Sequence, residues 1–185
     1  ADERFGQKTF EQAEAFMQQT ALQTALDKQS LAADTLDFVL GGDLENQCIA
    51  SSFGLLAFNT PFLGLYGACS TMAESLALAA LLVDAGAAGR AAAVTSSHFC
   101  TAERQFRTPL EYGGQRPPTA QWTVTGAGAS VVCDAALCKN PRAPFVRAAT
   151  FGRITQLGVK DINNMGAAMA PAAAETAAIH LRDRG

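Results

Sequence analysis

The sequence predicts an α/β fold built from alternating helices and strands. Three observations predict it. Apolar residues Phe10, Ala13, Phe16, Met17, Ala21, Leu22, Ala25 and Leu26 recur at helical spacing. The short apolar run Leu36–Leu40 follows them and stops at Gly41-Gly42-Asp43, as a buried strand would. The same order then returns, with an apolar stretch near Phe62, a second helical run from Thr71 to Ala88 and a strand from Ala91 to Thr95.

Each element has its own signal. In the first helix Gln and Glu alternate with the apolar positions and are expected on the solvent face. Ser30 to Asp34 supplies a turn, and Ile49 to Phe58 reads as a short helix. Thr71 to Ala88 is apolar enough to be buried on most of its surface. Val124 to Cys133 carries Gly126 and Gly128 near its start and ends with Ser-Val-Val-Cys, a glycine-rich turn entering a buried strand, with its glycines expected to pack closely under the helix after Cys69. Pro144 to Phe151 reads as a further strand, paired as a hairpin through Lys139-Asn140-Pro141. Pro171 to Arg182 reads as a last, alanine-rich helix.

That last helix repeats the pattern of Ala13 to Asp27. One reading is a duplicated architecture, with residues 1–169 as a first half and 170–185 as the opening helix of a second; the other is a terminal helix packed on the sheet.

Composition narrows the class. The chain is 49% hydrophobic and 17% charged, which implies a large core or a large buried interface. A net charge of -3 argues against general nucleic-acid binding. Five cysteines form no CxxC pair and point to free thiols in a reducing compartment. Neither a signal peptide nor an uninterrupted membrane span is visible. Charge is unevenly spread. No Lys or Arg occurs between Gln29 and Gly89, whereas four arginines fall between Arg90 and Arg116, a distribution suited to a small anionic ligand or to a solvated loop.

The candidate site residues follow. Cys69 lies where a strand turns into a helix, and the first-turn amides there favour a thiolate or a bound anion. His98 follows the end of a strand and either lines a pocket or bonds within a loop. Arg104 and Arg107 share a face if their segment is helical. They either grip carboxylates or pair with Glu103 and Glu111 to brace the loop. Tyr112 or Phe106 would stack on a ring. Asp43 and Glu45 are too few to ligate calcium alone, and Asp43 suits a turn or cap. His180, in the last helix, has no expected role in a site.

Gly67-Ala68-Cys69-Ser70-Thr71 before a buried helix, and Thr125-Gly126-Ala127-Gly128-Ala129 before a strand, resemble the thiolase and 3-oxoacyl synthase superfamily. More specific stretches are Gly42-Asp-Leu-Glu-Asn-Gln47, Thr95-Ser-Ser-His98, Thr101-Ala-Glu-Arg-Gln-Phe-Arg107, Glu111-Tyr-Gly-Gly-Gln115 and Asn164-Met-Gly-Ala-Ala-Met-Ala-Pro-Ala-Ala173. These resemble the stage V sporulation protein AD family, from about Phe10 to the last residue.

The resemblance implies a thiolase-like layered αβαβα fold, represented here by its N-terminal half and the start of the second repeat, and a homodimer. It implies a protein of sporulating bacteria that binds dipicolinic acid for uptake into the developing spore. Calcium enters only as part of the ligand, and no cofactor is implied. The implied partners are the other subunits of the dipicolinate transport assembly, on the cytoplasmic side of the spore inner membrane. The matching cysteine of condensing enzymes carries an acyl group, so the alternative is an acyltransferase using Cys69 as nucleophile. That chemistry needs a base and an oxyanion hole, and this chain has only two histidines to offer.

Overall fold

The computed structural model describes residues 2–106, 118, 121–161 and 164–185. Helix α1 (Phe10–Asp27) begins at Thr9, whose hydroxyl accepts the Gln12 N–H at 3.2 Å. Strand β1 (Phe38–Gly42), helix α2 (Ile49–Gly54), strand β2 (Phe62–Gly64) and helix α3 (Thr71–Asp84) follow. Strand β3 (Arg90–Ser97), helix α4 (Phe99–Phe106), strand β4 (Gly126–Cys133) and helix α5 (Met165–Arg184) complete the order. The elements fall into two compact units, the first holding α1 through β4 and the second residues 145–185.

In the first unit the strands form one sheet, ordered β2–β1–β3–β4. Strand β1 runs parallel to β2 and β3, with Val39 opposite Phe62 and Ala92. Strand β4 runs antiparallel to β3, from Arg90 opposite Cys133 to Ser97 opposite Gly126. Asp37 aligns the start of β3 with β1: its Oδ2 accepts the Gly89 and Arg90 N–H groups at 2.7 and 3.0 Å. Those two donors hold the Asp37 carboxyl below the usual carboxylate range.

Side chains alternate across this sheet, as the strand period requires. Val39, Ala92 and Val94 join Leu22 and Leu26 of α1, with Leu36, Leu55 and Phe58, in one apolar cluster. Leu40 and Ala91 join Ala79 of α3 and Ala88 in the other. Helices α1 and α3 therefore cover opposite faces. Two glycines allow close backbone approach. A Cβ on Gly41 would strike the Val94 carbonyl in the neighbouring strand, and one on Gly54 would lie 2.5 Å from the Ala15 carbonyl of α1.

The α/β architecture agrees with the sequence, and several details differ. The buried stripe of α1 includes Glu14 and Gln18, whereas Phe16 is exposed. Helix α2 stops at Gly54 and gives way to a 3-10 turn over Leu56–Phe58. The strand expected to end at Thr95 runs on to Ser97, and helix α4 follows it. Gly126 and Gly128 meet open space rather than the underside of α3, so close packing does not explain them.

In the second unit residues 145–151 are not a strand, and no hairpin forms through 139–141. Their β-propensity is real, but a strand needs a neighbour to pair with, and the local sequence does not encode one. Helix α5 begins at Met165, capped by the Asn164 side chain, which accepts the Ala167 N–H at 3.2 Å. Pro171 thus lies inside the helix rather than at its start, within a run of strong helix formers. Arg153 pairs with Glu175, and its hydrogen bond, helped by its charge, holds that carboxyl below the usual range.

Candidate functional site

Strands β1, β2 and β3 are parallel, so the segments leaving them emerge at one end of the sheet. Asp43 follows β1, the Cys69 turn follows β2, and His98 follows β3. Backbone strain gathers there too. Gln47, Cys48 and Ala68 adopt left-handed φ values of 58°, 53° and 47°, which cost a side-chain-bearing residue roughly 1 kcal/mol each.

Cys69 occupies a 3-10 turn, Ala68–Ser70, that runs straight into α3. Its thiol is exposed. No side chain caps the start of α3. The adjoining Thr71 is only 2% exposed, yet its Oγ1 has no hydrogen-bond partner among the described residues. Ser70 Oγ turns back to the Gly67 carbonyl at 2.8 Å, and Glu74 packs against Gly67. The result is a helix start with an exposed sulfur and a buried, unused hydroxyl.

His98 is buried on the other face, against α1. Its ring lies 5.1 Å from that of Phe10. Nδ1 accepts the Cys100 N–H at 3.1 Å, which assigns the ring proton to Nε2; Nε2 then donates to the Glu3 carbonyl at 2.9 Å. Both ring nitrogens are engaged: Nδ1 at the start of α4, and Nε2 in holding the N-terminal segment. Arg104, on α4, pairs with Glu11 of α1 rather than with Glu103. The structure thus gathers His98 and Arg104 on the α1 side, while Cys69 stands at the head of α3, which packs on the opposite face. Arg107, Glu111 and Tyr112 lie outside the described residues. His180 in the second unit shares a 2.9 Å hydrogen bond with Thr150.

A group of carboxyls under this end of the sheet was not anticipated. Glu14 is fully buried, and its two oxygens accept from Ser96 Oγ at 3.0 Å and Thr101 Oγ1 at 2.6 Å. Asp43 accepts the Glu45 N–H at 2.8 Å and both the N–H and hydroxyl of Ser51 at 2.8 and 2.6 Å, the turn-and-cap role its position suggests. Gln18 donates to the Gly42 carbonyl and to Ser51, leaving its Oε1 without a partner among the described residues. Glu45 completes the group. Burial, then the charges of Glu14 and Asp43, push its carboxyl up to about 8. Burial likewise raises Glu14. The available signal was the i, i+4 placement of Glu14 and Gln18 in line with Leu22 and Leu26. Among the described residues no three His, Cys, Asp or Glu side chains are placed to hold a metal ion. No described helix is long and apolar enough to cross a membrane.

Comparison with known proteins agrees with the sequence blocks around these elements. The chain is 47% identical to stage V sporulation protein AD of Bacillus subtilis (strain 168) over 177 residues, 96% of this chain and 51% of that protein. It therefore spans about half the length of that relative. Among solved structures, 3-oxoacyl-[acyl-carrier-protein] synthase III from Aquifex aeolicus VF5 aligns at 20% identity with a TM-score of 0.47, over 65% of this chain and 38% of that one. The priming β-ketosynthase of the R1128 polyketide pathway aligns at 20% identity with a TM-score of 0.48, over 66% of this chain and 36% of that one. The family Stage V sporulation protein AD (SpoVAD) matches residues 1–185 without a break, and the chain belongs to that family.

Proposed function

We propose that this chain is part of a sporulation protein that binds dipicolinic acid and serves its uptake, as the calcium chelate, into the developing spore. Family membership supports the reading, and one structural observation carries it: the uncapped start of α3, where exposed Cys69 stands beside the buried, unpartnered Thr71 hydroxyl. Amides at a helix start favour an anion, and dipicolinate presents two carboxylates. In this reading Cys69 contacts the ligand, Arg107 and Tyr112 contribute a guanidinium fork and a ring face, and calcium arrives with the ligand. Arg104 is already paired with Glu11, and His98 acts as a brace rather than a ligand contact. The same reading makes the protein a homodimer that docks on the other subunits of the transport assembly at the inner spore membrane.

Titration calorimetry of the full-length protein tests this. Heat of binding is expected with dipicolinate, weakened about tenfold (1.4 kcal/mol) by Cys69→Ala. No heat, with or without calcium, would overturn it. The exposed position of Cys69, next to the left-handed Ala68, also suits acyl transfer. An acyl adduct on Cys69 after incubation with acyl-CoA would favour that second reading.

A further inference from the structure

The turn that follows β1 places a carboxyl where only an uncharged group is comfortable. Asp43 fixes both ends of this turn. Its Oδ1 accepts the Glu45 N–H at 2.8 Å, and its Oδ2 accepts the N–H and hydroxyl of Ser51 at 2.8 and 2.6 Å. The Glu45 side chain turns inward. Both of its oxygens are buried, and no donor reaches either one among the described residues. The residues after it carry strain and little cover. Asn46 and Gln47 are exposed, and Gln47 and Cys48 hold left-handed φ values of 58° and 53°. A long 3.4 Å bond from the Cys48 N–H to the Glu45 carbonyl closes the turn. Cys48 itself is only 2% exposed, and its thiol donates to the Leu65 carbonyl at 3.3 Å, on the segment that leads to Cys69.

We infer that residues 44–48 form a proton-operated latch, closed while Glu45 is neutral and swung outward when Glu45 ionises, which uncovers Cys48 and frees the Leu65 carbonyl. Donors decide the matter. A neutral carboxyl tolerates burial, whereas a carboxylate in the same place gives up its hydration and gains no N–H or O–H. Donors in the same buried group are committed elsewhere. The Ser96 and Thr101 hydroxyls serve Glu14, and Gln18 Nε2 serves the Gly42 carbonyl and Ser51. Gln18 Oε1 is a further acceptor without a donor among the described residues. The titratable groups that face Glu45 among those residues are Glu14 from α1 and Asp43 from the β1 end, both acidic. Burial and these charges push the Glu45 carboxyl up to about 8, so the latch is closed below that pH and opens above it. Outward rotation of 44–48 is the least obstructed response. It relieves two left-handed residues and moves side chains that already meet water. Asp43 and Ser51 stay bonded to each other and serve as the fixed ends.

Iodoacetamide labelling of the full-length protein at about pH 7 and 9, read by peptide mass spectrometry, tests the latch. The rate at Cys48 is divided by the rate at exposed Cys69 in the same sample. In Glu45→Gln the side chain is neutral at both pH values, so its profile reports thiol ionisation alone. The Cys48 to Cys69 ratio is expected to rise about tenfold more in the unaltered protein than in this variant, as the ionised fraction of a group at about 8 does over that span. Glu45→Met, of similar length and without a carboxyl, should behave as Glu45→Gln does and covers the case of a carboxamide that does not fit. Equal profiles in the unaltered protein and both variants would overturn the inference. So would a rise at Cys100 and Cys133 in step with Cys48, because that is loosening of the whole protein rather than a local opening.

Discussion

Glu45 lies against Glu14 with both of its carboxyl oxygens buried and no donor reaching either one among the described residues. Burial and the charges of Glu14 and Asp43 both disfavour a charged Glu45, so Glu45 is the group that keeps a proton. Glu14 already accepts two hydroxyls, which favour its charged form. Among the described residues the groups facing the pair are Asp43 from the β1 end, Ser96 from β3 and Thr101 from α4, with no cation.

Stability should therefore fall as pH rises. Glu45 moves from an ordinary 4.5 to about 8 on folding, so the folded state holds the extra proton between those values. Its contribution is fully present below about 4.5 and lost as pH climbs through about 8; Glu14, also raised, acts in the same direction. Glu45→Gln reduces the dependence and should stabilise the protein at about pH 9 by on the order of 2 kcal/mol, after discounting for partial exposure of the residue. Urea unfolding of both proteins at about pH 5.5 and 9 checks this. A pH-independent midpoint in the unaltered protein would disprove it.

His98→Ala should release the N-terminal segment. The substitution removes the Nε2 bond to the Glu3 carbonyl and the ring contact with Phe10, a loss of about 2 kcal/mol. Trypsin should then cleave after Arg4 and Lys8 several-fold faster, roughly in proportion to the lost local stability. Unchanged cleavage would mean that the segment is held by something else.

Gly54→Ala and Gly128→Ala should differ sharply. The first puts a methyl 2.5 Å from the Ala15 carbonyl and must push α2 from α1, at about 1–3 kcal/mol. The second meets open space and should stay within about 0.5 kcal/mol. Thermal melts of the pair read the difference directly.

Alkylation should rank the cysteines. Cys69 is exposed, whereas Cys48 is buried, its thiol raised by burial and by Asp43. Iodoacetamide should label Cys69 at least about tenfold faster than Cys48, as peptide mass spectra would show. Dipicolinate should slow labelling at Cys69 if the proposed ligand seats there.

Much of the architecture was legible because its signals are local. Periodicity in residues 10–26 and the Thr9 cap mark α1, and the Leu36–Leu40 run ending in paired glycines marks β1. The placement of Cys69 between a strand and a helix was equally plain. The buried carboxyls were not, since Glu14 finds its hydroxyl partners 82 and 87 residues along the chain. Phe16 and Glu14 exchange their expected faces for the same reason: long-range polar partners outweigh the local apolar count. Residues 145–151 show the converse, local propensity with no strand to pair with.

The alternation of Val39 and Leu40 bears on which sequence changes the protein can tolerate. A one-residue slip of β1 would send each of these side chains into the cluster built for the other. It would also move Leu40 toward the place where Gly41 clears the Val94 carbonyl, or carry Gly42 from where it clears Leu65. Three separate penalties thus guard a single alignment. Insertions or deletions within 38–42 should be selected against far more strongly than those in the Ser30–Asp34 turn, where length is cheap.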